Sequence, residues 1–505
     1  MTKIYILLLI VTIANSSELN LILKKHKDFS IQNKKKISSF HIVSKVNAYG
    51  FSGESDSWYI YPDKFFVKMD LGIMSQTQAF DGIDYYEIDR NGKREKKGDP
   101  KDIDKAYLSA FMSSMAYLEP ENFNLKVVDK GDIIFEGKSC RAVAYSFRQS
   151  KETTLYIDKD SGAAIASVTN EMGMNVVEKR YNYKNFSGFM INTSSDVTIS
   201  GGLATMKVEN DLIEINKKVP QNLFVSSESA KDYQFLSRNH KSTSKIKIVN
   251  GHIFLKVKIN DSGYRYFIYD TGAMTTVLDK EFAKYLNLTE SGNLPGLGAG
   301  GVSSASLAEI DSIRIKDLLF GKQSVAIMDF SQLQLMFPIK INGLVGYDFA
   351  SRVVTEIDYE KEEITFYEPD FYNPPSDFER LKASLYNKLL LVDCTVNGVE
   401  GRFFLDTGSN SGVDISQDFA KKAGLSDKEG FSSAVSGIGG LSNSKTINNI
   451  EVILGSKKQQ VSVSIHSAKE GVFAQEDVAG IIGSQIFGKK KLITDYKNRV
   501  IYLSD

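Results

Sequence analysis

The chain has 505 residues, enough for two to four domains with well-packed apolar cores. Lysine plus arginine and aspartate plus glutamate number 62 each, so the net charge is zero and no global basic field indicates nucleic-acid binding. The 38 Gly, 24 Tyr and 30 Phe residues favour a β-rich protein with many turns.

The first residues predict an export signal. MTKIYILLLIVTIANSSELN has one Lys, then an apolar run from Ile4 to Ile13, then small residues, which is the pattern of a secretory signal peptide. We expect residues 1–16 to be removed, with cleavage after Ala14 or Ser16, the alternative being a retained N-terminal anchor. The mature protein is therefore expected to be exported, either periplasmic or extracellular.

Residues 17–225 consist mainly of strand-like runs. Turn signals such as Asp81-Gly82 separate these runs, which is typical of hairpins. One helix-like stretch, 102–118, interrupts the strands with apolar residues at four-residue spacing. The pattern predicts a single curved antiparallel sheet around a helix.

Two polar stretches divide the rest of the chain. Residues 226–245 read as a linker because they are polar and rich in Ser and Lys. A second break, at residues 368–384, contains three of the nine prolines. Within it, we expect residues 371–384 to form a linker between the two domains. The domains are then expected at 246–370 and 385–505.

These last two domains are copies of each other. Asp270 aligns with Asp406 at an offset of 136 residues. Four further landmarks follow in the same order at offsets of 137 to 139: EFAKYLNL with DFAKKAGL, GAGG with GIGG, GLVG with GIIG, and IDYEKEEITFYE with TDYKNRVIYLS. Five landmarks in one order indicate a tandem duplication.

The duplicated motif is Asp-Thr-Gly at the end of an apolar strand. Alone the tripeptide is a weak signal, because it can also occur where a strand ends in an ordinary turn that contains Gly. In both copies, however, two aliphatic residues and a Gly follow about 75 residues later. Two carboxyl groups a few ångströms apart share one proton, because their like charges cannot both ionise. One of them can activate a water while the other polarises a scissile carbonyl, and a duplicated domain supplies the two-fold axis that pairs them.

The residues beside each Asp have predicted supporting roles. The Thr271 and Thr407 hydroxyls are expected to hydrogen-bond across the axis and brace the loops. Gly272 and Gly408 are expected to let the backbone turn tightly and to offer amide hydrogens to the carboxylates.

Residues 246–505 resemble the retropepsin-like aspartic proteases, especially exported bacterial proteins with tandem aspartyl protease domains. The family signature is Asp-Thr-Gly-Ala/Ser after an apolar strand, with a later apolar-apolar-Gly element that packs behind the catalytic loop. The resemblance implies that Asp270 and Asp406 are catalytic. The matching positions are Asp270-Thr271-Gly272-Ala273 with Leu344-Val345-Gly346, and Asp406-Thr407-Gly408-Ser409 with Ile481-Ile482-Gly483.

The resemblance also implies an architecture and an activity. We expect a mainly β protein with two retropepsin-like barrels forming a pseudo-two-fold pair. Such a protein would be a pepstatin-sensitive endopeptidase that acts on extended peptide or protein substrates without a cofactor. Hairpins called flaps would close over the substrate, and the candidate flap residues are Gly298, Gly300, Gly301, Gly437, Gly439 and Gly440.

Three departures from the family matter. The best-known retropepsins supply one Asp per chain and dimerise, whereas this chain can supply both, so the dyad is expected within one chain, the alternative being pairing between chains. The flap stretches lack the Tyr of pepsin-type enzymes. The fourth motif position is Ala273 in one copy and Ser409 in the other. We expect the Ser409 hydroxyl to bond the Asp406 carboxylate and to make Asp406 the more readily ionised partner.

Residues 17–225 resemble the lipoprotein-carrier (LolA/LolB-like) half-barrel, through stretches such as YPDKFFVKMD and AFDGIDYYEIDRNGK. That family binds acyl chains on a concave face, which implies peripheral contact with the envelope or with lipid. The alternative is a non-catalytic module that docks substrate. For the whole chain, the alternative to an endopeptidase is an inactive peptide- or lipid-binding carrier that retains the fold.

The remaining reactive residues form no recognised motif. The five histidines show no HExxH pattern and no tight acidic cluster, so no metal site is predicted. His252 and His466 lie in apolar strand contexts and are expected to be structural. Cys140 and Cys394 are more than 250 residues apart and are expected to be buried free thiols.

Overall fold

The computed structural model describes residues 18–33, 36–171, 174–199, 204–224, 231–298, 301–437, 440–467, 473 and 477–504. The predicted signal peptide therefore lies outside the described residues. The chain divides into two compact units, Met1–Ser229 and Ala230–Asp505. Strands predominate in both units, which confirms the mainly β class. In the described part of the chain, none of the helices has the length and apolar character needed to cross a membrane.

The first unit is built on one antiparallel sheet. Its thirteen strands are β1 (Ser39–Ala48), β2 (Phe51–Ile60), β3 (Lys64–Asp70), β4 (Gln76–Phe80), β5 (Tyr85–Ile88), β6 (Arg94–Lys97), β7 (Lys126–Phe135), β8 (Lys138–Ser146), β9 (Thr153–Asp158), β10 (Ala164–Glu171), β11 (Met174–Phe186), β12 (Phe189–Ile199) and β13 (Ala204–Ile215). Strands adjacent in sequence pair along β1–β6 and along β7–β13, and β1 pairs with β13 to join the two halves. Strands β6 and β7 are therefore the edges of the sheet.

Helix α2 of the first unit (Pro100–Ser113) connects these two edge strands. Its N-terminus is capped by Asp99, whose side chain accepts a hydrogen bond from the Lys101 amide at 2.9 Å. The predicted helical stretch, 102–118, extends beyond the observed helix. Met115 takes up a left-handed conformation with φ of 64°, and a short 3-10 turn follows, so the apolar spacing continues past the end of the α-helix.

Helix α1, over residues 18–30, was not predicted. Its buried positions recur every four residues, at Ile22, His26 and Ser30. Because two of these three residues are polar, the sequence shows no hydrophobic periodicity that would indicate a helix. The His26 ring is accommodated by hydrogen bonds of 2.8 Å with the Gly162 carbonyl and with the Tyr117 hydroxyl. Burial of a histidine is thus compensated by polar partners.

The second unit contains both copies of the repeat. Repeat 1 comprises β14 (Tyr233–Phe235), β15 (Lys241–Lys245), β16 (Lys247–Val249), β17 (His252–Ile259), β18 (Arg265–Tyr269), β19 (Val277–Asp279), α3 (Lys280–Tyr285), β20 (Ser291–Gly298), β21 (Gly301–Ile310), β22 (Ile313–Ile315), β23 (Leu318–Phe320), β24 (Gln323–Met328), α4 (Ser331–Gln334), β25 (Gly343–Val345), α5 (Tyr347–Ala350), β26 (Val354–Asp358) and β27 (Glu363–Tyr367). Repeat 2 comprises β28 (Glu379–Tyr386), β29 (Leu389–Val396), β30 (Val399–Leu405), β31 (Val413–Ser416), α6 (Gln417–Lys422), β32 (Phe431–Gly437), β33 (Gly440–Leu454), β34 (Lys457–His466), β35 (Gly480–Ile482), β36 (Lys491–Asp495) and β37 (Val500–Leu503).

Both stretches expected as linkers contain strands. Strands β14 and β15 lie within 226–245 and pair with β23 and β27. Strand β28 begins at Glu379, inside 371–384. Strands β14 and β15 are three and five residues long, and such short edge strands draw their stability from the strand they pair with, so their own composition gives little periodic signal.

The two repeats contribute equally to one run of six strands at their junction, in the order β15-β27-β26-β36-β37-β28. At its centre, β26 and β36 pair antiparallel, and Glu356 lies opposite Ile493. These two residues are 137 positions apart, which is the offset of the repeat, so each lies opposite its own counterpart. The pseudo-two-fold axis therefore passes between them.

One hydrophobic core is continuous through both repeats. Its fully buried members include Leu255 and Phe267 in repeat 1 and Val396 and Phe403 in repeat 2. Burial of this size stabilises the two copies as one body, because each apolar side chain removed from water contributes about 1.5–3 kcal/mol. The loops that carry the duplicated motif are thus anchored in a shared, packed interior.

Candidate active site

Each Asp-Thr-Gly loop begins where an apolar strand ends. Strand β18 delivers Asp270 and strand β30 delivers Asp406. Each of these strands runs parallel to the strand of its apolar-apolar-Gly element, β25 or β35. The Asp270 amide donates to the Val345 carbonyl and the Asp406 amide to the Ile482 carbonyl, both at 3.0 Å. The two Asp residues are therefore held at equivalent places by equivalent backbone contacts.

The glycines that end these elements lie directly behind the loops. A Cβ atom at Gly346 would lie 2.4 Å from the Thr275 carbonyl oxygen, and one at Gly483 would lie 2.4 Å from the Ser411 carbonyl oxygen. A side chain at either place would push the loop forward. The elements that contain Leu344 and Ile481 thus support the loops from behind.

The two carboxyl groups meet at the pseudo-two-fold axis. A Cβ atom at Gly272 would lie 2.4 Å from the carboxyl carbon of Asp406, and one at Gly408 would lie 2.4 Å from that of Asp270. Each carboxyl group therefore rests on the glycine of the other loop. The two side chains also hydrogen-bond each other.

This contact gives the two glycines a different role from the expected one. Both loops do turn tightly, since the Ala273 amide donates to the Asp270 carbonyl at 3.4 Å and the Ser409 amide to the Asp406 carbonyl at 3.3 Å. Neither Gly272 nor Gly408 has a positive φ, however, so the turn alone does not require glycine. The opposite carboxyl group occupies the space that a side chain would need, and this explains why both residues are glycine. Their amides behave as expected: Gly272 N donates to Asp270 Oδ1 at 2.8 Å, and Gly408 N donates to Asp406 Oδ1 at 2.7 Å.

The two threonines exchange hydrogen bonds across the axis. The Thr271 amide donates to the Thr407 hydroxyl at 3.1 Å, and the Thr407 amide donates to the Thr271 hydroxyl at 3.0 Å. Each hydroxyl in turn donates to a carbonyl of the opposite strand, Thr271 to Leu405 at 2.8 Å and Thr407 to Tyr269 at 2.9 Å. Both side chains are fully buried, so these four bonds tie the loops together without competition from water.

The electrostatics of the pair favour one shared proton. Asp270 and Asp406 are half-buried, with solvent reaching their side chains although protein surrounds them closely. Burial raises the pKa of both carboxyl groups, and the neighbouring Asp406 carboxyl raises the Asp270 pKa further, well above its usual range. The two carboxyl groups therefore titrate as a pair that shares one proton.

The Ser409 hydroxyl does not take the expected partner. It contacts the Ser411 hydroxyl at 2.9 Å and donates to Asp414 Oδ2 at 3.3 Å, instead of bonding the Asp406 carboxylate. Ser411 donates to the same Asp414 oxygen at 2.6 Å. The Asp414 carboxylate is therefore the acceptor for both serine hydroxyls, in place of Asp406. The expectation that Ser409 lowers the Asp406 pKa through a direct hydrogen bond is wrong.

The loop of repeat 1 is held by a different acidic residue. Buried Asp348 in α5 accepts hydrogen bonds from the Thr276 amide at 2.8 Å, the Thr276 hydroxyl at 2.6 Å and the Thr275 hydroxyl at 2.8 Å. Its counterpart 137 residues later is the exposed Gln485. Sequence reasoning missed both Asp348 and Asp414; the one signal for Asp348 is its position two residues after Gly346.

The two histidines expected to be structural lie in the Asp406 half of the site. His466 is buried, contacts Asp414 Oδ1 through Nε2 at 3.0 Å and stacks on Phe473 with ring centres 4.0 Å apart. His252 is also buried, and its Nδ1 lies 2.9 Å from the Asn250 carbonyl oxygen. The ring lies near the Gly408 backbone and close enough to Asp406 for their charges to interact. No sequence pattern indicates that a histidine of repeat 1 approaches the aspartate of repeat 2.

Four of the six candidate flap glycines lie at the described ends of two strand pairs. Gly298 pairs with Gly301 where β20 turns into β21, and Gly437 pairs with Gly440 where β32 turns into β33. Gly300 and Gly439 fall outside the described residues. The four described glycines therefore occupy corresponding positions in the two repeats.

Cys140 and Cys394 are both free and buried, as predicted. Burial raises the pKa of the Cys394 thiol to about 12, so it stays protonated. Within the part of the chain that the structure describes, no group of three or more His, Cys, Asp or Glu side chains could hold a metal ion.

Comparison with known proteins gives a family for both repeats. Residues 255–349 and 392–486 each match the aspartyl protease family. A comparison with curated proteins finds no match to this sequence. The two matched ranges contain Asp270 and Asp406 respectively, together with their apolar-apolar-Gly elements.

The solved structures that are similar to this chain include two of different kinds. One is an aspartic proteinase from Irpex lacteus, 11% identical with a TM-score of 0.35, over 52% of this chain and 97% of that one. The other is described as an outer membrane lipoprotein-sorting protein domain from Vibrio parahaemolyticus, 9% identical with a TM-score of 0.29, over 40% of this chain and 94% of that one. Both TM-scores lie below 0.5, so neither similarity supports a statement about function. From the family matches, the second unit carries two domains of the aspartyl protease family in tandem, one in each repeat.

Proposed function

We propose that the chain is an aspartic endopeptidase that hydrolyses peptide bonds with a water activated between Asp270 and Asp406. The observation that carries the proposal is the contact of the two carboxyl groups, each resting on the glycine of the opposite loop. Two carboxyl groups in contact cannot both ionise, so the pair presents one base and one acid at the same place. The family of both repeats supports the same chemistry.

The pKa of both carboxyl groups is raised, and in the proposed scheme Asp406 is the base and Asp270 the acid. Ionised Asp406 takes a proton from the bound water as its oxygen forms a bond to the carbonyl carbon of the substrate. Protonated Asp270 gives its proton to the carbonyl oxygen, which produces a tetrahedral diol. The C–N bond then breaks as a proton passes from the newly protonated Asp406 to the leaving nitrogen. One diol hydroxyl returns its proton to Asp270, so both carboxyl groups regain their starting states.

The substrate is proposed to be an extended peptide or a flexible protein segment. The hairpins β20–β21 and β32–β33 would close over it, because their glycine tips occupy corresponding places in the two repeats. No cofactor enters this reaction, since the two carboxyl groups and water complete it.

Export and a role for the first unit belong to the same proposal. Residues 1–16 would direct the chain out of the cytoplasm and be removed, which N-terminal sequencing of the protein recovered from its native host would test. The first unit would dock substrate or contact the envelope, including its lipid. Recovery of the full-length chain from the cytoplasm alone would contradict the export proposal.

The decisive experiment compares cleavage of a mixed peptide library by the mature chain and by its Asp270→Asn and Asp406→Asn variants from pH 4 to 8. We expect each variant to lose at least about 1,000-fold in kcat/KM, because a single carboxyl group cannot serve as both acid and base. The exposed Asp377→Asn variant is the matched control and should cleave normally. If the mature chain cleaves nothing at any pH, the protein is a binding protein with a protease fold. If either site variant stays as active as the wild type, Asp270 and Asp406 are not the catalytic pair. Recovery of activity on mixing the two inactive variants would place the dyad between chains.

A further inference from the structure

We propose that His252 is a positioning residue of this site, a titratable group supplied by repeat 1 that keeps Asp406 of repeat 2 ionised in acid. The inference rests on the proposed aspartic protease function and names the residue that would set its acid limit. His252 does not touch the water or the scissile bond in this scheme. It acts on Asp406 through its charge.

The hairpin β16–β17 brings His252 to the opposite repeat. Val249 and His252 form the last pair of that hairpin, with Asn250 and Gly251 at its tip. The tip lies against the other repeat, since a Cβ atom at Gly251 would lie 3.0 Å from the Cβ of Asn410. Asn410 is four residues after Asp406, so the hairpin of repeat 1 packs on the catalytic loop of repeat 2.

At the position of His252, the corresponding hairpin of repeat 2 carries a leucine, and its titratable groups are Tyr386 and the tip residue Lys388, whose Nζ lies 5.9 Å from the centre of the Tyr347 ring. Its last pair is Tyr386 with Leu389, at the repeat offset of 137 from Val249 and His252. Leu389 packs in an apolar cluster that includes Met274, four residues after Asp270. A leucine thus faces the Asp270 loop where a histidine faces the Asp406 loop. The pseudo-two-fold symmetry is broken at this pair of positions.

The surroundings of His252 favour its protonation in acid only. The contact with the Asn250 carbonyl fixes the hydrogen on Nδ1, because a carbonyl oxygen can only accept. A second proton, on Nε2, is favoured by the nearby Gly408 carbonyl and by the Asp406 charge. Burial outweighs these effects and lowers the His252 pKa below 6.5, so the ring is neutral near pH 7 and gains its charge as the pH falls.

Several other titratable groups face Asp406. Asp270 shares its proton, and the Asp414 carboxylate, which His466 contacts, raises the Asp406 pKa. The buried Tyr496 lies near both carboxyl groups, but burial raises its pKa well above 10 and keeps it neutral. His252 opposes the carboxylates, because its positive charge lowers the Asp406 pKa. It therefore extends the range over which Asp406 can act as the base towards lower pH.

The test is the pH dependence of kcat/KM for His252→Leu, which copies the counterpart residue, and His252→Gln, which keeps a hydrogen-bonding side chain without titrating. We expect the acid limb of both profiles to move upward by about 0.5–1 pH unit, with kcat near the optimum kept within a few-fold. Leu389→Met, an apolar exchange at the corresponding hairpin position, should leave the profile unchanged. An acid limb in both His252 variants that coincides with the wild-type limb overturns the proposal.

A second measurement decides the matter without catalysis. The His252 ring can be titrated by NMR in the wild type, in Asp406→Asn and in Asp270→Asn, with His252→Gln assigning its signal. We expect Asp406→Asn to lower the His252 pKa by more than Asp270→Asn does, because the amide removes the nearer negative charge. An equal His252 pKa in all three proteins overturns the proposal. A chain that cleaves no peptide, yet shows this shift, would refute the proposed function and leave the coupling of His252 to Asp406 standing.

Discussion

The carboxyl carbon of Asp406 lies 2.4 Å from the point where a side chain at Gly272 would begin. No real side chain fits in that gap, so glycine is required by the residue 134 positions further along the chain. The same relationship holds between Gly408 and Asp270. The two motifs are therefore parts of one site, because the glycine of each motif leaves space for the aspartate carboxyl group of the other.

Gly272→Ala should remove activity while the protein still folds. The methyl group has to displace the Asp406 carboxyl group, and a shift of about 1 Å in a catalytic group costs on the order of 100-fold in rate. Crowding at this point should also cost about 1–3 kcal/mol of unfolding free energy. Peptide cleavage and urea unfolding measure the two effects. The control is Gly321→Ala, where the new methyl group meets only a carbonyl oxygen at 3.6 Å. A Gly272→Ala enzyme as active as that control would contradict the arrangement of the carboxyl groups.

The threonine pair should behave as one unit in a double-mutant cycle. Thr271→Ala and Thr407→Ala each leave buried amide and carbonyl groups without partners, so each should cost about 1–3 kcal/mol of unfolding free energy. The double variant should cost less than the sum, because the first substitution loosens both loops and so weakens the bonds that the second substitution removes.

Circular dichroism can follow this unfolding, while the fluorescence of Trp58, the single tryptophan of the chain, reports on the first unit. Thr243→Ala is the control, since its hydroxyl contact with Thr365, at 3.0 Å, belongs to an outer strand and not to the loops. Strictly additive losses for Thr271 and Thr407 would show that the two loops are independent.

Asp270→Asn should stabilise the protein at neutral pH and not in acid. Because the folded state raises the Asp270 pKa, the folded protein keeps its proton over a range in which the unfolded chain loses it. Stability from this group is complete below about pH 3.8 and is lost as the pH rises through the raised pKa. The loss is at most about 1.4 kcal/mol per pH unit, and less here because solvent reaches the side chain.

Unfolding by urea at pH 3.5 and pH 7 measures this difference. We expect Asp270→Asn to match the wild type at the lower pH and to exceed it at the higher. The exposed Asp377→Asn should show no such gain. A wild type that equals Asp270→Asn at both pH values would mean that Asp270 ionises as readily in the folded protein as in the unfolded chain.

Asp348→Ala should be far more damaging than Gln485→Ala, although the two residues occupy corresponding positions. Asp348 is the acceptor for one buried amide and two hydroxyls of the catalytic loop, and its removal should cost about 2–4 kcal/mol and reduce kcat. Gln485 is exposed, so its truncation should change stability by less than about 0.5 kcal/mol. Equal effects of the two substitutions would refute the view that the loops are held by different residues.

The comparison of the two loops shows why part of the site escaped prediction. Repeat 1 anchors its loop on Asp348, and repeat 2 anchors its loop on Asp414 with His466, at places that do not correspond. Alignment of the two copies identifies the residues that they share, but it does not identify anchoring residues that are present in only one copy. Ser409 illustrates the limit: its hydroxyl could reach Asp406 by sequence proximity, but Asp414 offers it an acceptor that only the fold brings near.

The sequence by itself determined the duplication, the strand that precedes each Asp, the apolar-apolar-Gly elements and the mainly β class. These are local patterns or patterns repeated at a fixed offset, and both kinds can be recognised in the linear sequence. Only the tertiary structure decided why Gly272 and Gly408 are glycines, which hydroxyls cross the axis, and that His252 approaches Asp406. Those features depend on residues more than 130 positions apart that meet at the pseudo-two-fold axis, and the axis itself exists because β26 pairs with β36. Burial at that meeting point then sets the electrostatics, since two carboxyl groups acquire one shared proton only when the fold brings them into contact.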